Sequence, residues 1–111
     1  MALQHVQSGE PADVRPFGAD LSQQVTHALF KSTDLEVFRL VLMQGKGMPL
    51  HKVAGEITVQ CLEGLIDVTV NGESHVLQPG QLLFLAGNVV HDVVAKKDSS
   101  ALITIVLKPA A

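Results

Sequence analysis

With 111 residues the chain can build one domain around one core, but not two. A net charge of −3 lacks the basic footprint that nucleic-acid binding requires, and apolar runs of only a few residues exclude a membrane-spanning helix. A single cysteine, Cys61, rules out an intrachain disulfide; with no apolar leader segment over residues 1–10, the expected setting is a reducing cytoplasm.

Charged residues make up 17% of the chain, below the usual level of about 25%, while 47% is hydrophobic. That balance predicts apolar surface covered by a second subunit. With four Phe and no Trp or Tyr, any ligand pocket should be aliphatic and lightly polar.

Residues 1–34 sustain no period and are punctuated by Gly9, Pro11, Pro16 and Gly18. They read as an arm, loosely structured or strand-pairing, with a short strand at Thr26–Phe30. Leu35–Gln44 is rich in Val, Leu and Phe and stops at Gly45-Lys46-Gly47, which predicts a well-buried strand. Met48–Val53 follows, with Pro49 marking an edge or a strand start. Ile57, Val59 and Cys61 alternate with Thr58 and Gln60, so one face of that strand is buried. Glu63-Gly64 turns the chain into a strand at Ile66–Val70.

Asn71-Gly72 then predicts a type I′ hairpin, because both central residues need positive φ. Ser74–Leu77 is a short strand, Pro79-Gly80 a turn and Leu82–Leu85 a fully apolar strand, either core or subunit-covered. Ala86-Gly87-Asn88 turns again, with Asn88 suited to left-handed backbone. Val89–Ala95 and Ala101–Leu107 complete the set. Short strands with turn signals every eight to twelve residues argue for an antiparallel sandwich or barrel, with no major helix.

Two stretches carry a family resemblance. GKGMPLHKVAGEITVQCLEG, Gly45 to Gly64, resembles the first motif of the cupin superfamily: Gly, five residues, His-x-His, three or four residues, Glu, six residues, Gly. GQLLFLAGNVVH, Gly80 to His91, resembles the second, which opens on Gly and ends on His. The resemblance runs over Leu35–Leu107. It implies an all-β fold, the double-stranded β-helix or jelly-roll barrel of RmlC-like cupins, spanning residues 35–107 of a single domain. It also implies a homodimer built through N-terminal strands.

In that family two His and a Glu from the first motif and one His from the second hold a divalent metal. Here His51 and His91 fall on two of those positions, and Val53 and Ile57 on the other two. Glu56 lies one residue from the Glu position, and a one-residue slip sends a side chain to the opposite face of a strand. The metal set implied by the resemblance is therefore His51 and His91 with Glu56 as a third candidate. Imidazole favours zinc, iron or nickel, and two imidazoles should hold none of them tightly.

The expected function is thus binding of a small molecule in the barrel interior, oriented by His51 and His91. Met43, Met48, Val53, Ile57 and Val59 complete the pocket expected around them. The alternative is a metal-dependent oxygenase or isomerase that uses the same two histidines, and a third reading makes one of them a general acid–base without metal. Cys61 shares the parity of apolar neighbours and reads as a buried small hydrophobe. His5, His27 and His75 read as surface residues.

Overall fold

The computed structural model describes residues 5–108, without the side chains of residues 49 and 50; the first four residues of the stretch read above for a leader lie outside that range. Nine strands follow one another: β1 His27–Lys31, β2 Leu35–Leu42, β3 Gly47–His51, β4 Ile57–Glu63, β5 Ile66–Val70, β6 Glu73–Leu77, β7 Leu82–Leu85, β8 His91–Ala95 and β9 Ser99–Val106. Among the described residues no helix is long and apolar enough to cross a membrane.

The strands form two antiparallel sheets, one of order β1-β2-β9-β4-β7 and one of order β3-β8-β5-β6. Alternation decides which side chains enter the space between them. In β4, Ile57, Val59 and Cys61 are buried, while Thr58 and Gln60 on the other face are not. The same parity brings Ala101 and Ile103 inward from β9 and Val68 from β5. Together with Leu40, Ile66, Leu77 and Leu85 they make one core cluster.

The turns follow the chemistry of their residues. Asn71 and Gly72 take φ of 50° and 82°, as a type I′ hairpin requires, and join β5 to β6. Asn88 sits at φ 63° before β8. Other boundaries shift by a residue or two. β3 ends at His51 rather than Val53, and the Val53 carbonyl instead accepts from the Asn88 amide at 2.7 Å. β8 starts at His91 rather than Val89, because the Asn88 turn occupies the residues before it.

The arm is more ordered than its sequence suggests. It contains a short 3-10 helix, Gly18–Gln23, which burial of Leu21 anchors and which the sequence reading missed. β1 pairs with β2 and is thereby part of the larger sheet.

Candidate functional site

The register of the smaller sheet builds the site. β3 and β8 run antiparallel with His51 opposite His91, so both imidazoles arise at one level of the inner face. Their ring centroids lie 4.3 Å apart with planes tilted by 56°. His91 is only 4% exposed, and its Nδ1 lies 3.0 Å from the Val89 carbonyl oxygen. The carbonyl can only accept, so the ring donates to it from a protonated Nδ1.

A cavity of about 50 Å³ lies between the sheets at this level. The larger sheet lines it with Phe38, Ile57, Val59, Ile103 and Ile105, and the smaller with Met48, His51, His91 and Val93. Two imidazoles are thus the polar groups of an otherwise apolar wall. Of the residues expected around the pocket, Met48, Ile57 and Val59 line it together with the two histidines. Val53 packs against the core cluster outside the cavity wall, and Met43 is half-buried away from it. Glu56 is exposed and absent from the wall; its carbonyl is taken by the Val106 amide at 2.9 Å. Phe38, Val93, Ile103 and Ile105 were not singled out in the sequence. Their signal was parity within strands already recognised, but parity names a face and not the level along it.

The outer histidines are differently placed. His27 is half-buried, its ring 6.4 Å from that of Phe17 and its Nδ1 2.9 Å from the Val25 carbonyl oxygen. His75 is half-buried on β6, beside Val68 in the register. Cys61 is fully buried, and burial pushes its thiol up from the ordinary value, which disfavours a reactive thiolate.

A second polar cluster lies on the outer face of the larger sheet. Arg39 from β2 donates through Nη2 to Glu63 at 3.0 Å and to the Arg15 carbonyl at 2.7 Å; its Nε and Nη2 also reach Ser100 of β9. Glu63 accepts from the amides of Phe17 and Gly18 at 3.0 and 3.1 Å. The Phe17 ring stacks over the guanidinium at 3.7 Å. One buried ion pair therefore ties the arm to three strands. A charged residue inside an apolar strand was the available signal, and only the tertiary structure supplies its partner.

Two antiparallel sheets closing on a small apolar cavity define a jelly-roll barrel. The chain belongs to the cupin family: the family model for a cupin domain matches residues 38–107. Similar solved structures include a conserved protein of unknown function from Streptococcus pyogenes, 25% identical with 100% of both chains covered and a TM-score of 0.74. A cupin superfamily protein from Desulfitobacterium hafniense is 15% identical, with 97% of this chain and 100% of that chain covered and a TM-score of 0.77. KdgF from Halomonas sp. is 19% identical over 76% of this chain and 78% of its own, with a TM-score of 0.70. No curated protein matches the chain.

The donor set does not fit a resident divalent metal of the kind the fold family implies. Among the described residues no group of three or more His, Cys, Asp or Glu side chains comes together. Catalytic zinc sites take three protein ligands, and here apolar Ile57 lines the cavity at the family's Glu position.

Proposed function

We propose that this cupin barrel binds a small molecule whose apolar end enters the cavity and whose polar end lies beside His51 and His91. The observation that carries this reading is the wall itself, apolar on every side but for two imidazoles 4.3 Å apart. Such a wall rewards apolar contact and leaves orientation to very few polar groups. The cavity is about 50 Å³, whereas benzene occupies a protein cavity of roughly 150 Å³. The inserted end is therefore a short aliphatic group and not a ring.

NMR titration with small branched aliphatic compounds tests this. Binding should shift the methyl signals of Val59, Ile103 and Ile105. Filling the cavity by Val93→Leu should abolish those shifts while the far-ultraviolet spectrum is unchanged. Unmoved wall methyls across the whole panel would sink the reading.

A metal-dependent enzyme is the second reading. What favours it is the His91 Nδ1 bond to a backbone carbonyl, the outer contact typical of a metal-ligating imidazole. Mass spectrometry for metals on untagged protein separates the two. Near-stoichiometric zinc, iron or nickel that disappears in His51→Ala would replace the small-molecule reading.

We also propose a homodimer that covers β7. This edge strand exposes Leu82 and Phe84 by 61% and 60%, without the lysine, proline or bulge that usually guards a free edge. The expected result is a dimer in sedimentation velocity that becomes monomeric in Phe84→Glu; a monomeric parent would refute it.

A further inference from the structure

We infer that Asn71 is a site of spontaneous covalent modification in the folded protein, where the Gly72 amide nitrogen attacks the Asn71 side-chain carbonyl and the residue becomes aspartate and isoaspartate. The inference does not depend on what the cavity binds.

Ring closure sets the requirements. The Gly72 nitrogen and Asn71 Cγ close a five-membered succinimide, so the residue after the asparagine decides access. Gly72 has no Cβ to shield its nitrogen, and the space around it is open: an added Cβ would meet no atom within 4 Å. Both residues are exposed. Among the described residues no hydrogen bond holds the Asn71 side-chain amide or engages the Gly72 nitrogen. The other asparagine of the chain, Asn88, is placed differently. It is followed by β-branched, half-buried Val89, and its own amide donates to the Val53 carbonyl at 2.7 Å.

The hairpin gives the reaction room. Asn71 must leave its left-handed turn for the ring to close. That motion opens only the tip of the β5–β6 hairpin, where β6 is the outermost strand of its sheet and Glu73 and Ser74 are exposed. Local openings of this kind cost far less than global unfolding. In the first step the N–Cγ bond forms, the Gly72 proton passes to solvent base and the side-chain nitrogen leaves as ammonia. Water then opens the ring at either carbonyl. Overall one water is consumed and one ammonia released.

The two products differ in consequence. Aspartate keeps the turn, because Asp-Gly also suits type I′ geometry. Isoaspartate runs the main chain through Cβ and so adds a backbone carbon to the two-residue loop between Val70 and Glu73. Val70 stands opposite His91, and the Asn71 amide donates to the Val90 carbonyl at 3.2 Å. The lengthened loop therefore pulls on the strand that carries His91.

The test incubates the intact protein at mildly alkaline pH for several weeks. Electron-transfer mass spectrometry then follows tryptic peptide 53–96, which holds both asparagines. The expected result is a gain of one mass unit at position 71, at least tenfold faster than at position 88, with both products present. In nitrogen–proton spectra the isoaspartate fraction should show displaced signals for Val70 and His91. Asn71→Gly leaves Gly-Gly, which also suits the turn. That variant should fold, show no such gain and keep its His91 signal unchanged throughout. A gain at position 71 no faster than at position 88 would overturn the assignment. So would a reaction seen in urea but not in the folded protein. An unmoved His91 signal in the isoaspartate fraction would overturn the link from the turn to β8.

Discussion

Glu63→Ala is expected to lower stability by about 3–5 kcal/mol, because it leaves the Arg39 guanidinium buried without its counter-charge. The side chains are only 2% and 12% exposed, so water cannot replace the lost carboxylate. The same change frees the amides of Phe17 and Gly18, which both donate to Glu63. The arm should therefore loosen, and chymotrypsin should cut after Phe17 faster than in the parent.

The effect has a definite pH dependence. Burial alone would raise the Glu63 carboxyl, but the hydrogen bonds from Ser100, Phe17 and Gly18, with the nearby Arg39 charge, hold it below its ordinary value. A carboxylate lowered on folding contributes its full stability above the unfolded value and loses it as pH falls through the folded one. The gap between parent and Glu63→Ala, measured by urea unfolding, should be complete at pH 7 and shrink below about pH 4. A gap of similar size at pH 3 would show that packing and not the charge is responsible. Replacing the pair together, Arg39→Met with Glu63→Leu, should recover much of the loss, since apolar residues of similar volume often substitute for a buried ion pair.

Gly55→Ala is expected to be at least as damaging, for a steric reason. A Cβ at this position would overlap the Val106 carbonyl oxygen. Backbone stands in the way here, and it cannot rotate aside like the end of a side chain. Val106 is itself held, its amide donating to the Glu56 carbonyl at 2.9 Å. Losses above about 4 kcal/mol are diagnostic of such defects, against a total stability of about 5–15 kcal/mol. Little folded protein should be recovered. Gly45→Ala is the control: its Cβ would meet no atom within 4 Å, although its φ of 84° favours glycine. It should cost about 1–3 kcal/mol and leave a cooperative unfolding transition. Equal damage from the two changes would show that backbone conformation and not the clash decides.

The legible and illegible parts of this chain divide by the range of the interaction. Ile57, Val59 and Cys61 announced a half-buried strand because side chains alternate along any strand, whatever it pairs with. Asn71-Gly72 announced its hairpin because only a few residues tolerate two successive positive φ values. The motif spacing likewise placed His51 and His91 before their pairing was known. Each of these is a property of neighbouring residues.

Whatever depended on a partner distant in the chain was not legible. Met43 and Val53 are near the histidines in sequence but outside the cavity wall, while Ile103 and Ile105 line it from the last strand. The β4–β9 register puts Ile105 opposite Ile57 and Ile103 opposite Val59, and nothing local to either strand selects that register. Arg39 finds Glu63 and Ser100 the same way, through strands that meet only in the folded sheet. The sequence by itself determined the strands, most of their turns and the two imidazoles. The tertiary structure decided how small the cavity is, which isoleucines close it and what holds the arm, because those depend on the register and packing of strands far apart in the chain.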